Sequence, residues 1–253
     1  MTARVPAPHT GWRRRAAVVV SGLTLWFGTV ACGSDEPAVE TNGVEELAPE
    51  DMEERARTAA AEAATVRLSG TVVAEGSSYR LDMRIGPDGG VGEVSAEGTT
   101  FELLRVGEQM YVKADAAFWE TEGIPEELES DPTQKLDGKY VLVAPDDPAY
   151  AELSGFTEKN ALLEALLVLE GERSTGERSE VDGVATIQLD AAEGAGGTMD
   201  ISLEGTPYPL RLHRGGDAGD LRLTDWDQDF SLHAPPDEEI VDYGDAMLPD
   251  ESE

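Results

Sequence analysis

The chain has 253 residues, 52 of them acidic and 19 basic, a formal charge of −33 and one cysteine. A surface this acidic repels nucleic acid, because binding to phosphates depends on Lys and Arg releasing counterions, and it is equally unsuited to anionic headgroups. A lone cysteine also excludes any disulfide within the chain and any cysteine metal cluster, so the fold must stand on its apolar core.

Arg13-Arg14-Arg15 leads an apolar run from Ala16 to Val30 that ends in small residues directly before Cys32. This is the anatomy of a secretory signal peptide over residues 1–31, and the run is shorter than the roughly 20 residues of a bilayer-crossing helix. Val30-Ala31-Cys32, with Thr29 where leucine is usual, resembles the lipobox of bacterial lipoproteins. That resemblance implies that the Cys32 thiol receives a diacylglyceryl group, becomes the new N-terminus and holds the protein on the outer face of the cell membrane. Two acyl chains suffice for stable attachment. Cleavage removes Arg4, Arg13, Arg14 and Arg15 and no acid, which takes the formal charge from −33 to −37.

Residues 32–50 are rich in Glu, Asp, Pro and Gly and are expected to form a solvated tether. One domain is expected over 51–248, with an acidic tail at 249–253. Asp51 to Ala64 predicts a first helix, acidic at its start and Ala-rich, whose small side chains can pack closely on a sheet. From Thr65 the period changes to two. Leu81, Met83 and Ile85 alternate with Arg80, Asp82 and Arg84, and turns at Glu75–Ser78 and Gly86–Gly90 separate strands that continue through Val91–Glu97, Thr99–Val106 and Met110–Ala114. Within Thr99–Val106 the apolar residues change register, which predicts either a bulge or a strand buried on both faces.

The Pro- and Asp-rich stretch from Glu120 to Ser154 reads as loop, with Lys139–Val143 as a short extended piece. Glu158 to Leu169 predicts a second helix, apolar almost all round and capped by Gly171, that needs cover on several sides. Beyond it, strands alternate around Ala185–Asp190, Met199–Glu204, Tyr208–His213 and Leu221–Thr224. Phe230-Ser231-Leu232 is expected as the last strand. Two amphipathic meanders and two helices together predict an α+β fold: a strongly curved antiparallel half-barrel holding the helices on its apolar concave side.

This order of parts resembles the LppX/LprG-type envelope lipoproteins, which share the LolA-like sheet. The matching segments are Leu103-Leu104-Arg105-Val106-Gly107-Glu108-Gln109-Met110-Tyr111-Val112-Lys113, with Phe118-Trp119 after it, and Leu223-Thr224-Asp225-Trp226 through Ala234-Pro235-Pro236. The resemblance implies a carrier that holds the acyl chains of a lipid or lipoglycan between sheet and helices. The residues expected to face such a ligand are Leu81, Met83, Ile85, Leu162, Leu166, Met199, Ile201 and Leu210. Alternation alone does not separate a cavity from a close-packed core. A second reading is therefore an acidic module with a dry core that binds a basic protein partner.

Catalytic patterns are not found. Asp225-Trp226-Asp227-Gln228-Asp229 opens like a calcium loop but has Phe230 at its sixth position and Pro236 at its twelfth, so a turn is expected. Gly194-Ala195-Gly196-Gly197 precedes a strand and reads as a hairpin connection, not a phosphate loop. His213 and His233 accompany no nucleophile or ligand motif. No enzyme, cofactor or metal is expected.

Overall fold

The computed structural model describes residues 41–242 other than 75, 116–117, 120–135 and 137. The signal peptide, Cys32, the first part of the tether and the acidic tail lie outside the described residues. The strands are β1 (Val66–Ala74), β2 (Ser77–Gly86), β3 (Gly89–Ala96), β4 (Thr99–Val106), β5 (Gln109–Ala114), β6 (Tyr140–Val143), β7 (Arg173–Val181), β8 (Val184–Ala191), β9 (Gly197–Ser202), β10 (Pro209–Arg214), β11 (Gly219–Thr224) and β12 (Ile240–Asp242). They form one curved, unclosed sheet in the order β12-β6-β5-β4-β3-β2-β1-β11-β10-β9-β8-β7. Pairing is antiparallel except between β12 and β6. The two meanders join where β1 pairs with β11, from Arg67 opposite Thr224 to Val72 opposite Gly219.

Alternation along each strand decides which way its side chains point. In β2, Leu81, Met83 and Ile85 are buried while Arg80, Asp82 and Arg84 are exposed. Opposite Met83 stands Gly92, where a Cβ would lie 2.0 Å from the Asp82 carbonyl and 2.8 Å from the Met83 sulfur, so the bare backbone makes room for the thioether. Strand β4 settles the two readings of its apolar residues. It pairs with β3 without a register shift, and Leu103 and Leu104 are 0% and 6% exposed, so it is buried on both faces.

Three α-helices lie wholly within the described residues: α1 (Pro49–Glu62), α2 (Pro148–Ser154) and α3 (Lys159–Leu166). Pro49 starts α1 with Glu50 and Asp51 in its first turn, where the helix dipole favours acids. Met52, Ala56, Ala59 and Ala60 form its buried stripe, and α1 touches α3, β7, β8 and β10. Its far end is closed by Lys159, whose Nζ donates to the Ala60 and Ala61 carbonyls at 3.1 and 3.0 Å, satisfying acceptors that a helix terminus leaves free.

Several segments differ from the sequence reading. The second helix ends at Leu166 and is amphipathic, with Leu163 and Leu166 buried and Ala161, Glu164 and Ala165 exposed. Its capping residue is Leu167 and not Gly171. Helical continuation loses to tertiary pairing, for Glu170 N donates to the Gly196 carbonyl at 3.0 Å and Leu167 and Leu169 are drawn into the core. Helix α2 occupies part of the expected loop, and its signal was present in Asp147-Pro148: the Asp147 carboxylate accepts from Ala149 N at 2.8 Å and Pro148 opens the helix.

Strand β7 has almost no buried side chain, so periodicity could not reveal it. It forms by pairing with β8, and its charges and its bulge between Thr175 and Arg178 suit a sheet edge that must not recruit other chains. Residues 230–232 are not a strand; the last one is β12, at the other edge.

Residues 42–50, expected as the end of a tether, are folded. Val44 is 2% exposed within the core, Asn42 N donates to the Leu203 carbonyl at 2.8 Å, and the Asn42 side chain donates to the Ser202 carbonyl at 2.8 Å. A single apolar residue with backbone hydrogen bonds around it is enough to order a segment whose composition alone argues for solvation.

Candidate functional site

The apolar face of the sheet gathers side chains from nearly every strand into one cluster. Leu81, Met83 and Ile85 of β2, Met199 and Ile201 of β9 and Leu166 of α3 belong to it, and Leu162 packs against it partly buried. Leu210 does not join them. The pairing of β10 with β9 shifts between Pro209 and Arg211, so Pro209, opposite Ile201, and Leu212, opposite Met199, are the buried residues of the strand and Leu210 is left between them, half-buried. The same cluster holds Val94, Leu103, Leu189 and Leu221, which are not among the residues expected to face a ligand.

Two features distinguish this interior. Met52, Met83, Met110 and Met199 are all fully buried, and methionine is the side chain that fills irregular space and repacks most readily. An aromatic corner stands beside β4, where Phe101 lies 5.1 Å from Phe118 and Phe118 meets Trp119 edge-on at 5.0 Å. Trp119 is 2% exposed, and its Nε1 has no hydrogen-bond partner among the described residues.

Polar side chains hold the rim and the outer face. Arg173 Nε meets Glu53 Oε2 at 2.5 Å and its Nη2 donates to the Leu169 carbonyl at 2.8 Å, tying β7 to α1 and to the segment after α3. The hydrogen bond and charge of Glu53 hold the guanidinium in its protonated form. On the outer face Arg67 pairs with Asp82 and Arg211 with Asp220, each at 2.8 Å. The hydrogen bond from Arg67 draws the Asp82 carboxyl below its ordinary range. Asp200 lies among Ser179, Arg211, Asp190 and Asp220, and burial raises its pKa.

The Asp225–Asp229 segment is a structural clasp. Asp227 accepts from Ala64 N at 2.6 Å and from the Tyr208 hydroxyl, and Trp226 stacks on Tyr208 at 4.7 Å. Beside it a polar cleft of about 310 Å³ opens between Arg55, Thr58 and Glu62 of α1 and the Thr206–Tyr208 turn. Gly196, in the Gly194–Gly197 connection, is needed for close approach, since a Cβ there would lie 1.7 Å from the Glu170 carbonyl. His213 is half-exposed, 3.5 Å from Asp220. Among the described residues no group of His, Cys, Asp and Glu is placed to hold a metal, and no helix is long and apolar enough to cross a membrane.

The class defined by this fold and face is an open, curved sheet that carries its helices on its apolar side. No protein-family model and no curated protein matches the sequence. Among solved structures the chain is similar to LprF from Mycobacterium bovis, at 15% identity and a TM-score of 0.46, over 74% of this chain and 96% of that one. It is similar also to the lipoprotein LppX from Mycobacterium tuberculosis, at 12% identity and a TM-score of 0.37, over 71% and 95%. An uncharacterised conserved protein from Thermus thermophilus follows at 10% identity and a TM-score of 0.32, over 76% and 98%. These are likenesses of architecture.

Proposed function

We propose that this chain is an extracytoplasmic lipoprotein, anchored in the cell membrane through a diacylglyceryl group on Cys32, that carries a lipid or acyl ligand against the apolar face of its sheet without covalent chemistry. The observation that supports carriage best is the set of four fully buried methionines, Met52, Met83, Met110 and Met199, within the interior face. A core selected only for rigidity uses well-defined branched side chains, whereas unbranched thioethers allow the same face to close on itself or open around a chain. Leu81, Met83, Ile85, Leu162, Leu166, Met199 and Ile201 are the contacts proposed for that chain, and Leu210 is the weakest of the expected set because it stands outside the cluster.

Native mass spectrometry of the protein purified from its own membrane tests the carrier directly. The expected spectrum contains a lipid beyond the anchor, and a spectrum without one removes the carrier reading. The anchor is tested separately by fractionating Cys32→Ser, which is expected to leave the membrane.

The second reading, an acidic module that binds a basic protein, is favoured by the tight burial of Leu81, Met83, Ile85, Met199 and Ile201, all 0–1% exposed. In that case partner capture weakens steeply with salt, and the purified protein contains no lipid beyond the anchor.

A further inference from the structure

Trp119 is buried in the apolar cluster of the sheet, edge-on to Phe118, which in turn packs against Phe101, yet its indole N–H has no acceptor among the described residues. Buried donors are nearly always paired, because an unpaired one forfeits the water it left behind. The other described side chain with a buried unpaired nitrogen is Arg105, and its guanidinium is otherwise engaged: Nη2 donates to the Thr157 carbonyl at 3.1 Å and Nη1 lies 3.9 Å from Glu158. Trp119 differs in that its only donor is unused.

We propose that Trp119 Nε1 is the polar contact for the ligand in this apolar interior, and that it selects a ligand bearing a neutral acceptor, such as an ester or amide carbonyl, over a plain hydrocarbon. The inference rests on the carrier reading and specifies its ligand. An indole has one donor, no acceptor and no formal charge. A phosphate or carboxylate held by it alone would be buried without a counter-charge, which is far costlier than burying a carbonyl. A carbonyl at the head of an acyl chain meets both requirements, since its chain extends along the apolar face while its oxygen satisfies the N–H.

The test uses the mature full chain and two probes of equal chain length, methyl oleate and an octadecene. Once residues 1–31 are removed the tryptophans are Trp119 and Trp226, so Trp226→Phe makes Trp119 the sole fluorophore. In that background methyl oleate is expected to shift Trp119 emission to the red and octadecene is not. Trp119→Phe is expected to weaken methyl oleate binding by about three- to tenfold, the worth of one hydrogen bond, and to leave octadecene binding unchanged. Equal weakening for both probes, or none for the ester, overturns the assignment and leaves the carrier standing. Binding of neither probe to the unsubstituted chain overturns the carrier reading, and the assignment falls with it.

Discussion

At the scale of single residues, Asp200 gives a prediction whose sign follows from its surroundings. Burial lifts its pKa above the ordinary 3.8, and the hydrogen bond from Ser179 and the charge of Arg211 offset this only in part. Between the ordinary and the raised value the folded state binds more proton than the unfolded one, so this site adds stability as pH falls through that window and loses it as pH rises. Asp200→Asn is expected to raise the midpoint of thermal unfolding at neutral pH and to remove that contribution. An unchanged midpoint at pH 7 would show that Ser179 and Arg211 fully compensate the burial. Val44 is the second case. If residues 42–50 were solvated, Val44→Ala would cost nothing. Buried as it is, the loss of two methyl groups and the space they leave should cost about 2 kcal/mol in denaturant unfolding.

At the scale of elements, the join between α3 and the β8–β9 connection is the place where a small change should do most harm. Gly196 lies so close to the Glu170 carbonyl that a methyl group there overlaps it at 1.7 Å. Gly196→Ala must therefore move either the connection or the segment that carries Leu167 and Leu169 into the core. A loss of at least about 2 kcal/mol is expected from chemical denaturation. Gly183→Ala, in the β7–β8 turn, is the comparison: Gly183 has a positive φ of 86° but nothing within 4 Å of the added methyl, so it should show only the cost of backbone strain. The two edges of the sheet were opposite problems for sequence reading. β12 is three residues long and β7 is polar almost throughout, and both are edges of a kind that resists further pairing.

At the scale of the whole molecule, lipid carriage requires the interior to open while the outer ion pairs and the sheet stay in place. A carrier should gain thermal stability from a bound acyl ligand according to its concentration relative to the dissociation constant. Differential scanning with methyl oleate is expected to raise the unfolding midpoint progressively; a midpoint independent of the ester favours the dry-core module. What the sequence determined by itself was whatever is local or periodic. Alternation in β2 and β11 put one side of each strand inward, and the Ala-rich α1 announced a close-packing stripe. The curved half-barrel follows from those faces needing one common interior. Only the tertiary structure decided what depends on a distant partner: that α3 stops at Leu166 because Gly196 takes Glu170, that Leu210 loses its inward place to a bulge, that β7 exists because β8 offers hydrogen bonds, and that Asn42 and Val44 are held by the end of β9 and the core. Local periodicity is written in neighbouring residues, whereas a backbone hydrogen bond or a void is contributed by chain far away in sequence, and no single stretch records it.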